Sequence, residues 1–413
     1  MNPLEYKTKD INDYFFSFDK LYPKPYNKNK TEPYTKTRVI LMNGTEYESV
    51  WFMHQFARHC DNPEILNALA IVRKQEQMQQ KRIACLKPLN ESILETTIAY
   101  EQLAIDLTAS LAIYEHDKNN KKALDFALLE DFDHLYRFAN LLIMDKKIDS
   151  KKLVGELTEI MPGRPTIAEH RHPSQELRPH LNAQKAELYS KLVACTITAA
   201  EQQTMNYYMN IAQWYKNDLG RKLYSEIALI EEQHVSQYES LKDPTMTWLE
   251  QWVMHEFAEC YLYYSCYEDE TDKYIKSIWL DHFEMECAHL KIAVNLLQKF
   301  EKKNHQSVFG NGDFPELLHI GSHKEYIRNV IENSICLTAK DMDYVQVNKL
   351  HENDPYFCYQ KALICDENCV PSHLVINKAI KTLGKDYRYQ DSAHPIKELD
   401  NRKKDNTTIA RTK

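Results

Sequence analysis

The sequence predicts an all-α protein with two tandem four-helix modules, followed by an accessory, mostly helical C-terminal region. Three observations support this prediction. Glycine (8 residues) and proline (15 residues) are scarce among the 413 residues, which suits helices better than a β-sandwich or a doubly wound sheet. Four copies of one pattern of charged residues recur along the chain, and short flanking stretches such as Leu86-Lys87 and Leu241-Lys242 recur with them. Such matches indicate an internal duplication.

Each copy has a glutamate at position i, a second carboxylate at i+30 and a histidine at i+33. The complete copies are Glu101/Asp131/His134, Glu201/Glu231/His234 and Glu256/Glu286/His289, and the fourth copy reads Glu46/Glu76/Gln79. Within each half of the chain the second copy starts 55 residues after the first, and the whole pair of copies recurs 155 residues later. The pattern therefore predicts four related helical hairpins.

Composition restricts the class of protein. The net charge of −8 argues against a general nucleic-acid binder, and no apolar run is long enough to span a membrane. The N-terminus lacks the basic-then-apolar order of a secretory signal. Ten cysteines are scattered without the pattern of a small disulfide scaffold. We therefore expect a cytoplasmic protein with free thiols that binds neither nucleic acid nor membrane.

The elements follow in order along the chain. A polar arm rich in Tyr, Lys and Pro comes first, and Thr45-x-x-Glu48 is a capping box that would open the first helix. Breaks at Asn62-Pro63 and Pro88-Leu89-Asn90 separate the next helices. The predicted divisions are the arm 1–43, a degenerate module 44–146, a linker 147–183, a second module 184–301 and an accessory region 302–413 with a mobile charged tail.

The linker 147–183 carries a cluster of Pro, His and Arg residues, MPGRPTIAEHRHPSQELRPH. This cluster could dock across the bundle or bind an anion. The simplest interpretation is an ordinary connection between domains.

The spacing of the charged residues suits metal binding. Residues i and i+3 share one helix face, so Glu231 and His234 point the same way, as do Glu286 and His289. Because a turn lies near the middle of each copy, the first carboxylate reaches the same height on its helix as the second does on the neighbouring one. Two hairpins would then gather four carboxylates and two imidazoles. Divalent cations would offset the free-energy cost of burying these groups. The alternative is that the glutamates form surface salt bridges and the histidines fill gaps in the core.

The second module carries the complete set, and this set resembles the di-metal site of the ferritin-like superfamily, which includes ferritins, bacterioferritins and rubrerythrins. The short hairpin spacing is most similar to that of the encapsulated ferritins. The resemblance implies two iron ions, or manganese or a mixed pair. It also implies roles: Glu201 and Glu256 as terminal ligands, Glu231 and Glu286 as bridging ligands, and His234 and His289 as one cap for each metal.

One feature departs from ferritins, which join their second and third helices by a long crossover. The chain between Glu231 and Glu256 is short and carries a break at Asp243-Pro244, so no crossover fits. Either the module has an up-down-up-down order, or hairpins from different halves or different chains pair to build the site.

The first module carries a weaker set. Gln79 replaces a histidine, and an amide is a poor metal ligand. Glu46 directly follows the expected N-cap at Thr45, where it would only complement the helix dipole. Glu76, Glu101, Asp131 and His134 could still hold one metal. A degenerate copy of this kind is more often kept as a packing partner.

Further residues of the second module face the predicted site. Tyr208 and Tyr263 each follow a predicted terminal ligand at i+7 and could donate electrons or a hydrogen bond, or could simply be core aromatics. Glu259 lies one turn after Glu256 and resembles the extra carboxylate with which rubrerythrins can switch ligands; the alternative is a solvent-exposed glutamate.

These features predict a di-iron oxidoreductase that oxidises Fe(II) or reduces O2 or peroxide, with Glu231, Glu286, Tyr208 and Tyr263 closest to the chemistry. An external electron donor and a homo-oligomer are possible partners. A di-manganese catalase, a di-iron oxygenase and a non-catalytic metal-binding or scaffolding bundle are the alternatives.

Overall fold

A computed structural model describes residues 1–364, 366–386 and 392–400, without the side chain of residue 367. The prediction of an all-α fold is confirmed. The long helices, each of two turns or more, are α1 (Pro33–Arg58), α2 (Pro63–Ala84), α3 (Ile93–Tyr114), α4 (Lys118–Lys146), α7 (Leu188–Trp214), α8 (Asp218–Glu239), α9 (Trp248–Asp269), α10 (Lys273–Glu301), α12 (Lys324–Ser334), α13 (Pro355–Leu363) and α14 (Pro371–Leu383).

Shorter elements connect these helices. They are the single-turn helices α5 (Ser150–Leu153), α6 (Thr166–Glu169), α11 (Gln306–Phe309) and α15 (Lys397–Asp400), together with strands β1 (Leu337–Lys340) and β2 (Asp343–Gln346). The strands form an antiparallel hairpin in which Leu337 pairs with Gln346. Within the described ranges, no helix is both long and apolar enough to cross a bilayer.

Short polar side chains fix where the central helices begin. Ser92 opens α3 and Thr247 opens α9, each with a complete capping box closed by a glutamate in the first turn. Asn62, Asp117 and Asp272 accept hydrogen bonds from the first free backbone N–H groups of α2, α4 and α10. Each of these caps follows a turn, so the hairpin lengths are set by local sequence.

The helices group into two compact units. The first unit contains Met1–Glu91, His180–Gln203 and Lys242–His319. Its main helices are the hairpins α1–α2 and α9–α10, and α1 packs on α9 while α2 packs on α10. Tyr14 of the N-terminal arm packs against Met285 and Ala288 of α10. One hairpin of this unit therefore comes from each half of the sequence.

The second unit contains Ser92–Pro179, Thr204–Leu241 and the described residues from Ile320 onward. It holds the hairpin α3–α4, the end of α7 and all of α8. Helix α14 packs on α4 and α8, and α12 packs on α4. The described part of the accessory region from residue 320 onward thus belongs to this unit. The charged tail that was predicted to be mobile begins at Asp400, and its residues 401–413 lie outside the described residues.

This grouping differs from the tandem order that the repeat predicts. Hairpins α1–α2 and α3–α4 were expected in one module, and α7–α8 and α9–α10 in the other. Instead, each unit combines a hairpin of the first half with helices of the second half. Tight turns between consecutive hairpins permit either arrangement, which is why the sequence left both open.

The predicted start of the first helix is wrong. Helix α1 begins at Pro33, and Thr45 lies inside it, where its hydroxyl donates a hydrogen bond to the Leu41 carbonyl at 3.0 Å. Glu46 is consequently a buried residue in the middle of a helix and cannot serve the helix dipole at its end. The residue that marks the start of α1 is Pro33, since proline is favoured at the first position of a helix.

The segment 158–171 docks within the second unit, so its interpretation as an ordinary connection is wrong. The backbone N–H of Gly163 donates to Asp133 Oδ1 at 3.0 Å, and that of Arg164 donates to the Leu129 carbonyl at 3.0 Å. A Cβ added at Gly163 would overlap the Leu129 carbonyl oxygen and lie 2.9 Å from the Asp133 backbone nitrogen. The absence of a side chain therefore allows this close approach to α4.

We expect Gly163→Ala to detach this segment and to lower the free energy of unfolding by about 1–3 kcal/mol, because the new methyl group overlaps backbone atoms of α4. Hydrogen exchange should show lost protection over 158–171. Gly321→Ala is the matched control in the same unit, since the nearest atom to its new Cβ would be 3.6 Å away. Equal protection in both variants would contradict the prediction.

Candidate metal centres

In the first unit, three helices bring carboxylates around one imidazole. Glu76 of α2, Glu256 of α9, and Glu286 and His289 of α10 each offer one ligand atom within 4.8 Å of the others. His289 Nδ1 lies 2.9 Å from Glu76 and 3.1 Å from Glu286. The i, i+3 spacing of Glu286 and His289 and the packing of α2 on α10 thus produce a ligand set of mixed oxygen and nitrogen.

A second group in this unit contains only carboxylates. Glu46 of α1, Glu76 of α2 and Glu259 of α9 also lie within 4.8 Å of one another, again measured between ligand atoms. Glu76 belongs to both groups, so the two groups are neighbours that share one carboxylate. This is the relation expected of a bridging ligand between two metal positions.

Burial of these five carboxylates is nearly complete, with none more than 1% exposed. Among the described residues, the only basic side chain within salt-bridge distance of them is His289. Burial and the neighbouring carboxylates, chiefly Glu76, raise the pKa values of Glu46, Glu256 and Glu259 well above their usual range. The same causes raise the pKa of Glu286 to about 7, despite the opposing effect of His289.

In the second unit, α3, α4 and α8 build a related centre. Glu101, Asp131, His134 and Glu231 offer ligand atoms within 4.8 Å of one another, and His234 Nδ1 lies 3.4 Å from Asp131 and 3.1 Å from Glu231. Both imidazoles therefore face the same two carboxylates. All of these side chains are buried.

Each of the three histidines has one ring nitrogen toward the carboxylates and the other toward an outer acceptor. The Nε2 atom of His134 lies 3.1 Å from Glu169, that of His234 lies 2.8 Å from Glu130, and that of His289 lies 2.9 Å from the Gln75 side-chain oxygen. An outer acceptor of this kind fixes the ring and leaves Nδ1 available to a metal, as in most protein metal sites.

The docked segment 158–171 supplies the outer partners in the second unit. Arg164 and Arg171 both donate to Glu130 at 2.9 Å, and Glu169 is the partner of His134. Burial would raise the pKa of Glu130, but Arg171, His234 and Arg164 lower it below its usual range. Arginine side chains therefore lie within salt-bridge distance of this centre's outer carboxylate, whereas within the described residues His289 alone lies in such range of the first unit's five carboxylates.

Ionisation differs accordingly in the second unit. Burial opposes the charged form of Glu231, yet His134 and His234 lower its pKa to about 2. Burial raises the pKa of Glu169 to about 8, although His134 opposes this shift. Burial would lower the pKa of His134, but Glu169 and Glu231 raise it well above its usual range.

Both predicted tyrosines contact carboxylates of the clusters. Tyr208 donates a hydrogen bond to Glu101, and Tyr263 donates one to Glu46. Burial and the adjacent carboxylate raise the pKa values of both tyrosines well above their usual range, so the hydroxyls stay protonated donors. The two tyrosines occupy equivalent positions of the repeat, as do the two glutamates, so the contact is repeated in the two units.

The predicted ligands do not form the expected sets. Glu231 and His234 belong to the second unit, whereas Glu256, Glu286 and His289 belong to the first. The weaker set is divided likewise, with Glu46 and Glu76 in the first unit and Glu101, Asp131 and His134 in the second. Glu201 is buried on α7, just before the helix passes into the second unit, and remains a predicted ligand. Its repeat equivalent, Glu256, lies in the first unit's cluster.

Several site residues were missed by sequence reasoning. Gln75 and Glu130 each directly precede a predicted ligand and occupy equivalent positions of the repeat, so the repeat itself could have revealed them. His282, whose Nδ1 lies 3.0 Å from the Tyr263 hydroxyl, carries no signal of this kind. Nor do Arg164, Glu169 and Arg171, because their segment has no copy elsewhere in the chain.

Comparison with known proteins adds no relative. No family model matches this sequence, and neither a curated protein nor a solved structure matches it. The inference of function therefore rests on the geometry of the two clusters.

We expect the buried carboxylates of the first unit to contribute a loss of stability in the metal-free protein as pH rises from about 5 to 7. Glu46, Glu256 and Glu259 have raised pKa values, so in this window the folded chain binds more protons than the unfolded chain. Each such group lowers the free energy of unfolding by about 1.4 kcal/mol per pH unit. Urea unfolding in the presence of a chelator, repeated at several pH values, measures the slope.

Glu259→Gln should flatten this slope by about 1 kcal/mol per pH unit, because the amide cannot ionise. Glu48→Gln is the matched control, since His255 and Lys242 keep the pKa of Glu48 below its usual range despite burial. A slope unchanged by Glu259→Gln, or flattened equally by Glu48→Gln, would contradict the assignment.

Proposed function

We propose that each unit binds metal ions at its buried carboxylate–histidine cluster, and that the protein is a di-iron oxidoreductase that oxidises Fe(II) or reduces O2 or peroxide. The observation that carries this proposal is the first unit's charge balance. Five carboxylates are buried around one histidine without another basic side chain in salt-bridge range, in the part of the chain that is described. Divalent cations would remove the repulsion that otherwise keeps these groups protonated.

The residues fit such metals chemically. Carboxylate oxygens and imidazole nitrogens together suit iron and manganese, and thiolates are not needed. Buried oxygens without a hydrogen-bond partner include Glu46 Oε2 and Glu256 Oε2, which are the atoms that a cation would satisfy. In each histidine of the clusters, Nδ1 points toward the carboxylates and Nε2 lies against an outer acceptor. The Nδ1 atom is therefore positioned to serve as a nitrogen ligand.

The proposed ligands of the second unit are Glu101, Asp131, His134, Glu231 and His234, with Glu201 as a further predicted one. Those of the first are Glu46, Glu76, Glu256, Glu259, Glu286 and His289. A bound pair of redox metals supplies one electron from each ion, and the resemblance to ferritin-like proteins makes iron the first choice, with manganese or a mixed pair as the alternative.

The protein's own groups would support this chemistry in three ways. Burial excludes bulk water from the cluster. Tyr208 and Tyr263 hold the rotamers of Glu101 and Glu46 by donating hydrogen bonds. Burial raises the pKa of Glu169 to about 8, and this carboxyl group lies 3.1 Å from His134 Nε2, where it can take up the proton of that ring nitrogen as charge changes at the cluster.

A second candidate function is a non-catalytic bundle stabilised by ion pairs. The observation that favours it is the second unit's own cations: Arg164 and Arg171 balance Glu130, and His134 and His234 balance Glu231. A buried network that is satisfied in this way can stabilise a fold without metal.

Metal analysis after anaerobic loading with Fe(II), followed by exposure to O2, separates the two candidates. We expect Glu231→Gln to lose iron from the second unit and Glu286→Gln to lose it from the first, because each removes an anionic ligand. Fe(II)-dependent O2 consumption should fall with the iron content. The ion-pair candidate predicts that wild-type protein binds no more iron than a double variant.

Glu226→Gln is the matched control on α8. Glu226 is buried but accepts a hydrogen bond from the Ser372 backbone at 2.8 Å and lies outside the cluster. It should leave the iron content at the wild-type value. Loss of iron in this control would mean that any buried change on α8 disrupts the site, and the ligand assignment would then fail.

Tyr208→Phe and Tyr263→Phe should retain their metal but slow Fe(II) oxidation by roughly tenfold. The physical reason is that removal of a hydrogen bond to a carboxylate costs about 1.5–3 kcal/mol and frees the ligand's rotamer. Stopped-flow absorbance measures the rate. Tyr224→Phe, whose hydroxyl bonds Thr97 at 2.7 Å, is the control and should react at the wild-type rate. Equal rates in all variants would leave the tyrosines as packing residues only.

A further inference from the structure

The two clusters differ at three repeat-related positions. At one of them Glu76 is matched by Asp131, which keeps the carboxylate, whereas the other two change the type of side chain. Where the second unit has His134, the first has Gln79, and where the first unit has Glu259, the second has Thr204. The members of each pair occupy equivalent positions of the repeat. The first unit thus has one imidazole fewer and one carboxylate more than the second. Glu259 belongs to the all-carboxylate group, and Gln79 donates hydrogen bonds to Glu46 of that group and to Glu286 of the other.

In the all-carboxylate group, Glu46 and Glu259 each have one oxygen that accepts no hydrogen bond from the described residues. Ser49 donates to one oxygen of Glu259 at 3.3 Å, and Tyr263 and the Gln79 amide donate to one oxygen of Glu46. Within the described residues, no donor reaches the other oxygen of either glutamate. The carboxylates are therefore held in place while one oxygen of each remains available.

Gln79 provides an independent indication of a ligand. Its side chain is fully buried, its Nε2 lies between Glu46 and Glu286, and its Oε1 has no hydrogen-bond donor in the described part of the chain. A buried amide oxygen without a donor is rare unless a water or ion satisfies it. A hard cation bound beside Gln79 would satisfy this oxygen, because an amide oxygen, although a weaker ligand than a carboxylate, does bind hard cations.

From this arrangement we infer that the first unit holds a mixed metal pair: a hard divalent cation of the Mn²⁺ class at Glu46, Glu76 and Glu259, beside an iron-class ion at Glu76, Glu256, Glu286 and His289. Imidazole ligands favour iron over manganese, whereas oxygen-only sites suit manganese and magnesium. The second unit, with two imidazoles on shared carboxylates, would take iron at both positions. This inference rests on the proposed binding of metal by the clusters.

Exchange of the two positions between the repeats tests the inference. Gln79→His combined with Glu259→Thr gives the first unit the second unit's side chains at these two positions, and His134→Gln combined with Thr204→Glu does the reverse. Each protein is loaded anaerobically with equimolar Mn(II) and Fe(II), desalted and analysed for both metals by mass spectrometry. The electron paramagnetic resonance of bound Mn(II) reports whether manganese has a metal neighbour.

We expect wild-type protein to retain about one manganese per chain under competition, as an oxygen-only position should. The first double variant should bind several-fold less manganese and more iron, and the reverse variant should gain manganese. Glu226→Gln, outside both clusters, should retain the wild-type ratio.

Either double variant gives a decisive result if the other fails to fold, because the expected changes are opposite in direction. Wild-type protein with iron alone, or a manganese-to-iron ratio that neither exchange alters, would overturn the inference while leaving the proposed metal binding intact. Absence of any bound metal from wild-type protein would instead refute the proposed function itself.

Discussion

The burial of carboxylates inside helical units is the constraint on which the rest of this structure depends. A glutamate in an apolar interior must be protonated, paired with a cation or bound to a metal, and each choice determines what its neighbours can be. The second unit pairs many of its acids with histidine and arginine, and it recruits the docked segment 158–171 to do so. The first unit has no such segment and gathers its carboxylates around a single imidazole.

The same difference explains how two copies of one pattern have diverged. Two contacts that position the cluster side chains are retained in both units. A tyrosine donates a hydrogen bond to a carboxylate, and a side-chain oxygen lies against the Nε2 atom of a histidine. The residues that set the balance of charge and ligand type have changed instead. The two units therefore differ in the charge and side-chain types of their clusters, whereas the contacts that position those side chains are shared.

Much of the fold, and many of the side chains that gather in the clusters, could be predicted from the sequence. The i, i+3 spacing of Glu286 and His289 defines one helix face, and capping signals such as Thr247 fix the register of a hairpin, so the local geometry is encoded within a single hairpin. The pairing of hairpins is different, because short turns such as Asp243-Pro244 allow a hairpin to pack on either of two partners. That choice depends on the complementarity of whole helix faces, which spacing does not reveal. Glu46 was misjudged for a simpler reason: a capping signal inside a helix looks the same as one at its start.

The pairing of hairpins from opposite halves has a consequence for how the chain folds. Contacts across the first unit's cluster, such as Gln79 with Glu286, join residues 207 positions apart in the sequence. A ribosome must therefore synthesise most of the described chain before that unit can close, and until then the acid-bearing faces of α1 and α2 have no partner hairpin. Such long-range contacts slow folding, because a large loop must close before any of them forms. Each unit draws helices from both halves of the sequence, so a cut at the midpoint of this duplicated chain would separate hairpins that pack together.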